Sequence, residues 1–176
     1  MRVKRKMRVM PVVLERITWA AQGRGVQMTG ITKTVLVTGA TGGIGRAVCH
    51  RLAKAGCSLI LSARNTGRLE KLCTELSGHY SASYSWINVN MTRDDSVKQF
   101  AEQFRTRRIV LDGVVLMPPQ DPPTNDPLAA SDRWREILQH SFVGPLALLA
   151  AAIGAMKPDP ANANAKQCKV VIISGI

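Results

Sequence analysis

Residues 38–45 read TGATGGIG, and they lie between the apolar run KTVLV (33–37) and a segment with apolar residues at helical spacing. The run has the β-branched composition of a buried central strand. The segment after it predicts a helix with one apolar face. The residues expected on that face are Ile44, Ala47, Val48, Leu52 and Ala55.

The remaining chain continues to alternate between strand-like and helix-like periods, which is typical of a parallel sheet covered by helices. Strands are predicted over SLILSA (58–63), SASYSWINVN (81–90), IVLDGVVLM (109–117) and CKVVIISGI (168–176). Gly56 is expected to end the first helix and Gly78 the second, and Asp94 or Asp95 to begin the third. A long helix from Ser131 or Asp132 should be kinked at Pro145. The pattern predicts an α/β fold with a doubly wound, Rossmann-like parallel sheet.

Charge is distributed unevenly along the 176 residues, which carry a formal net charge of +12. Residues 1–27 hold seven basic side chains against the single acid Glu15, whereas residues 28–176 hold 17 basic and 11 acidic residues. We therefore predict one domain over 28–176 and a basic extension over 1–27. The extension is interpreted as upstream sequence before the start at Met28, with a disordered basic tail or a targeting segment as alternatives.

The cysteines and histidines do not form a pattern of metal ligands. Cys49, Cys57, Cys73 and Cys168 include no CxxC pair, and the three histidines are scattered. We expect no metal site, and cysteines that act as small apolar residues in a reducing, cytoplasmic environment. No uninterrupted apolar run approaches 18 residues, so we expect no membrane contact.

The glycines of 38–45 lie in the first strand-to-helix turn, where a phosphate group commonly binds at the helix N-terminus. A Walker sequence is excluded because no Gly-Lys-Ser/Thr follows Gly39 at the required spacing. The second strand ends in LSARN (61–65), where an acid would favour NAD and a cation would favour NADP. Arg64 therefore predicts a preference for NADP(H).

Taken together, TGATGGIG, LSARN, the fourth strand and the helix WREILQHSFVG (134–144) resemble the short-chain dehydrogenase/reductase family. The glycines fit the main branch through Gly39, Gly43 and Gly45, and the extended branch through Gly39, Gly42 and Gly45, while RLEKL (68–72) favours the main branch. The resemblance implies hydride transfer between NADP(H) and a carbonyl or alcohol substrate. The cofactor-binding residues that it implies are Gly39, Thr41, Gly42, Gly43, Ile44, Gly45, Arg64, Asn90 and Met91.

Several positions depart from the family pattern where the family has its cofactor-binding and catalytic residues. Asn90 stands where the family has an Asp beside the adenine, and the family's NNAG is replaced by LMPP (116–119). Ser141 takes the place of an active-site Asn, between Trp134 and Gly144, which persist. Ser174 is the only candidate for the family's catalytic Ser.

The family's Tyr-x-x-x-Lys is absent, because neither Tyr80 nor Tyr84 is followed four residues later by Lys. We therefore expect a C-terminally truncated member, with a sheet incomplete at its C-terminal edge and no activity as this chain alone. The alternatives are a non-catalytic dinucleotide-binding module and, less in keeping with the sequence, a nucleic-acid binder acting through its basic tail. Homo-oligomerisation stays open.

Overall fold

A computed structural model of the chain describes residues 33–119, 131–156 and 169–173. The expected extension over 1–27, Cys168 and Ser174 lie outside these ranges. The described strands are β1 (Thr34–Thr38), β2 (Ser58–Ala63), β3 (Tyr84–Asn88), β4 (Gly113–Leu116) and β5 (Lys169–Ile172). The α-helices are α1 (Gly43–Lys54), α2 (Thr66–His79), α3 (Asp94–Thr106), α4 (Ser131–Leu138) and α5 (Gly144–Gly154), with a π-helical turn at Gln139–Val143 between α4 and α5.

The five strands form one parallel sheet in the order β3-β2-β1-β4-β5. In register, Val37 of β1 lies beside Leu61 of β2 and Val115 of β4. The order reverses direction at β1, and α1, after β1, packs on the opposite face of the sheet from α5, which follows β4 in the chain. Folds of this class bind ligands at such a switch point, in a crevice at the carboxyl ends of the strands. The predicted doubly wound, Rossmann-like sheet is confirmed.

Two apolar layers cover the sheet. On one face α1 and α2 pack on side chains such as Val37, Leu59 and Leu61, and on the other α3 and α5 pack on Leu36, Ile60 and similar residues. Both faces of a central strand are therefore buried, which explains why β1 and β2 read as continuous apolar runs rather than alternating ones.

Helix α1 buries only part of the face expected from its sequence. Val48 and Leu52 pack partly against the core, but Ile44 is 56% exposed and Ala47 and Ala55 are exposed too. The fully buried residues are Gly45, Cys49 and Ala53, at i, i+4 and i+8. The face is fixed by Gly45, whose position against the turn leaves no space for a side chain. Burial raises the pKa of the Cys49 thiol to about 12, as expected for a cysteine that acts as an apolar core residue.

Two helix boundaries also differ from the sequence prediction. Gly78 lies inside α2, which continues to His79 because the backbone N–H of Tyr80 still donates to the carbonyl of Leu76 at 2.9 Å. Pro145 does not kink a helix interior, since it lies in the first turn of α5, where a missing N–H costs little. The departure from α-helical geometry occurs one turn earlier, in the π-helical turn.

The segment Asp132–Gly154 is long and apolar enough, by length and composition, to cross a membrane. Core helices of soluble proteins meet the same criterion. Here Leu148 and Ala152 are fully buried in the layer that also contains Phe100 of α3. In the same segment Trp134 is 51%, Leu138 54%, Phe142 60% and Leu146 44% exposed, and only 22% of its most apolar stretch is buried. Packing within the described residues therefore accounts for only part of its apolar character.

Candidate functional site

The turn after β1 presents backbone N–H groups at the carboxyl edge of the sheet. Gly39 has a φ of 60°, a conformation that favours glycine, and its carbonyl accepts from the N–H of Gly42 at 3.0 Å. Helix α1 begins directly afterwards without a side-chain cap. The N–H groups of Gly43, Ile44 and Gly45 therefore have no partner within the helix, and they carry the positive end of its dipole.

The glycines of the turn differ in the space that surrounds them. A Cβ at Gly45 would overlap the carbonyl of Gly39, so packing within the protein alone excludes a side chain there. A Cβ at Gly43 would meet no atom within 4 Å, and Gly43 is exposed. The protein's own packing thus accounts for Gly45 but leaves open space at Gly43, in front of the helix N-terminus.

Arg64 lies directly after β2, one strand away from the turn, and it is exposed. Within residues 33–119, 131–156 and 169–173 its guanidinium has no carboxylate at ion-pair distance, whereas Arg46 pairs with Glu75 at 2.6 Å. The following residue, Asn65, caps α2 by accepting from the N–H of Arg68 at 2.9 Å. Arg64 is therefore a cation at the edge of the crevice, on a backbone held in place by a helix cap.

Asn88 supports Arg64, and the sequence did not indicate this. Its Nδ2 donates to the carbonyl of Arg64 at 2.7 Å and to that of Ala63 at 3.2 Å. The only available signal was an amide side chain at the end of a strand, which is common and unspecific.

The loop after β3 carries Asn90 and Met91. The Oδ1 of Asn90 accepts from the N–H of Thr92 at 3.1 Å and from its hydroxyl at 2.8 Å, and the N–H of Asn90 donates to Ser96 at 2.9 Å. The amide oxygen is therefore committed to the loop itself, which leaves the Nδ2 group as the polar end that can meet a ligand. Met91 is 7% exposed and anchors the loop in the core.

At the end of β4, Met117 takes the place of the amide side chains seen in the family pattern. Its N–H donates to the hydroxyl of Thr38 at 2.8 Å, and a Cβ at Gly39 would lie 3.3 Å from its own Cβ. The ends of β1 and β4 are thus tied together, with Pro118 and Pro119 following. Ser141 lies in the middle of the π-helical turn and is exposed, while Ser174 lies outside the described residues.

A parallel sheet of this strand order, with a glycine turn before a helix at the switch point, defines an α/β domain of the dinucleotide-binding class. The family model for short chain dehydrogenases matches residues 33–176, and the chain belongs to that family.

Among its relatives, a short chain dehydrogenase/reductase of Colletotrichum higginsianum is 30% identical over 154 residues, which cover 84% of this chain and 54% of that protein. The chain thus spans about half the length of this relative. Among solved structures, the NADPH-dependent reductase YwfH, involved in bacilysin biosynthesis, superposes with a TM-score of 0.65 at 20% identity, over 72% of this chain and 54% of that one. An alcohol dehydrogenase from the archaeon Thermococcus sibiricus, complexed with 5-hydroxy-NADP, has a TM-score of 0.64 at 26% identity, over 71% of this chain and 53% of that one.

Proposed function

We propose that this chain is the NADP(H)-binding part of a short-chain oxidoreductase that acts on a carbonyl or alcohol substrate. The observation that carries the proposal is the open space at Gly43 in front of three N–H groups without helical partners. A pyrophosphate fits such a site, because the backbone can approach closely and the helix dipole favours an anion. We assign the domain to residues 28–176, preceded by a separate basic extension, and expect it in the cytoplasm.

The preference for NADP(H) rests on Arg64. Residues Leu61–Asn65 contain no acid that would accept from ribose hydroxyl groups and repel a phosphate. A guanidinium fork on the 2′-phosphate contributes about 1.5 to 3 kcal/mol, which corresponds to one or two orders of magnitude in affinity over NAD(H). The Thermococcus sibiricus neighbour, solved with an NADP derivative, is consistent with this preference.

When bound, the nicotinamide dinucleotide supplies hydride transfer. The residues of this chain would hold its pyrophosphate at Gly42–Gly45 and its adenosine end at Arg64, Asn90 and Met91. Ser141 is the described hydroxyl that we assign to the substrate side, where it could hold a water or a substrate oxygen.

A non-catalytic dinucleotide-binding module is the second candidate. It is favoured by the end of β4, where Met117, Pro118 and Pro119 offer apolar groups in place of amides, and where the N–H of Met117 is already bonded to Thr38. The two candidates share the cofactor site and differ only in turnover.

The cofactor site is tested by titrating NADPH and NADH into the wild type and Arg64→Ala. We expect the wild type to prefer NADPH about tenfold or more, and Arg64→Ala to lose that preference while its NADH affinity stays unchanged. Arg107→Ala is the matched control, because it also removes an exposed positive charge, just beyond the C-terminal end of α3. Equal affinities for the two cofactors in the wild type would refute the preference.

A further inference from the structure

The π-helical turn ends where its helix lies against the loop after β3. The N–H of Gly144 donates to the carbonyl of Gln139, five residues earlier, which closes the wide turn. A Cβ at Gly144 would overlap the carbonyl oxygen of Met91 and lie 3.1 Å from that of Gln139. Only a glycine therefore allows α5 to approach the backbone of this loop so closely. Gly154, in the last turn of the same helix, has no atom within 4 Å of its Cβ position.

A second contact joins the same two segments. The Nε2 of Gln139 donates to the Oδ1 of Asp94 at 2.9 Å, between residues 45 positions apart in sequence. Asp94 is the first residue of α3, at the far end of the loop that begins after β3. The helix therefore holds the loop at two points, by backbone packing at Met91 and by a side-chain hydrogen bond at Asp94.

The loop held in this way lies beside the end of β2. The N–H of Val89 donates to the carbonyl of Ala63 at 3.1 Å, directly before Arg64. The position of Asn90 and Met91 relative to Arg64 therefore depends on where this loop is held. π-Helical turns occur frequently at functional sites.

We propose that Gly144 is a positioning residue for the adenosine end of the dinucleotide site, acting through the carbonyl of Met91 without touching the cofactor. The inference rests on the proposed function, since it assumes that the loop after β3 contacts the dinucleotide. A Cβ at residue 144 pushes the loop away from α5, and a displacement of about 1 Å is enough to weaken a preorganised site by an order of magnitude or more.

The test compares Gly144→Ala with Gly154→Ala, which makes the same change in the same helix without a clash. We expect Gly144→Ala to bind both NADPH and adenosine 2′,5′-bisphosphate about tenfold more weakly, and its residues 89–96 to exchange amide hydrogens faster. Gly154→Ala should match the wild type in each measurement. An affinity loss for NADPH alone, or no loss, would overturn the proposal.

Gln139→Ala is the second variant, and it tests the positioning of the loop after β3 if Gly144→Ala fails to fold. It removes only the hydrogen bond to Asp94, so a smaller loss of affinity for both ligands and faster exchange at 92–96 support the proposal. Wild-type behaviour of this variant would count against it. If the wild type binds neither ligand, the proposed function is wrong. If the wild type binds them and Gly144→Ala leaves the amide hydrogen exchange of residues 89–96 unchanged, only the positioning role is wrong.

Discussion

The amide of Asn88 joins the ends of two neighbouring strands, because a single nitrogen donates to the carbonyl oxygens of both Ala63 and Arg64. This contact fixes the backbone from which the Arg64 side chain extends. Since Arg64 is exposed, its own side chain has little packing to restrain it, and the backbone contact is the restraint that the structure provides.

We predict that Asn88→Ala weakens NADPH binding at least about fivefold, because it removes two hydrogen bonds and a single ordinary one contributes about 1 kcal/mol. Asn88→Asp should be worse, since it places carboxylate oxygens opposite two carbonyls. NADH affinity should change less in both variants, because the 2′-phosphate is the group that Arg64 is proposed to hold. Isothermal titration with both cofactors measures the difference, and an equal loss for NADH would show that Asn88 supports the site in general.

Local patterns predicted some residues of the candidate site and not others. The glycine turn and Arg64 could be found because their spacing along the chain is itself the signal. Asn88 acts on a residue 24 positions away, and the approach of Gly144 to Met91 depends on how a helix packs. Such contacts are set by the tertiary fold, so a single sequence carries no periodicity or spacing that would reveal them.

At the scale of elements, periodicity predicted the strands and the alternation of helices, whereas helix faces and ends were less predictable. The buried stripe of α1 follows from one steric contact at Gly45 rather than from the most apolar face, which left Ile44 exposed. The departure from regular helix before Pro145 took the form of a wide turn at Gln139–Val143. A proline in a sequence indicates that a helix must adjust, but not which turn adjusts.

Strand β5 is an edge strand of the described sheet, and its side chains alternate in exposure. Val171 and Ile173 pack against the layer of α1 and α2. Val170 and Ile172 are the exposed ones, at 41% and 53%. The N–H of Lys169 donates to the carbonyl of Asp112, before β4, and that of Ile173 to the carbonyl of Leu116 in β4. By the two-residue period of a strand, the backbone groups of Val170 and Ile172 therefore point to the open edge of the described sheet.

An open, β-branched edge is a template for pairing with other chains. We predict that the unmodified chain associates through β5 and that Val170→Lys with Ile172→Lys increases the soluble monomer, because charge on an edge strand opposes pairing. The control is Val171→Lys with Ile173→Lys, which should lower thermal stability by burying charge in the core layer. Size-exclusion chromatography and thermal melting measure both, and a wild type that runs as a stable monomer would contradict the prediction.

At the scale of the whole molecule, the residues that are proposed to bind the cofactor can be considered separately from the groups that would transfer a proton. The described fold contains each element that forms the proposed dinucleotide site, from the turn after β1 to the loop after β3. The 176 residues contain no Tyr followed four positions later by Lys, the pair that the family resemblance implies for proton transfer. Positioned proton transfer contributes about 100- to 10,000-fold to the rate of such reactions, so binding and turnover should be measured apart.

We predict that this 176-residue polypeptide binds NADPH but reduces no ketone or aldehyde above the background rate, because oriented hydride donation lacks a positioned proton donor. The assay follows NADPH oxidation against a broad panel of carbonyl compounds, on samples whose NADPH binding has first been established by titration. Measuring binding first distinguishes a chain that binds NADPH without turnover from a chain that does not bind NADPH. Turnover that is present in the wild type and lost in Ser141→Ala or Ser174→Ala would contradict the prediction and assign the proton-transfer role to that hydroxyl group.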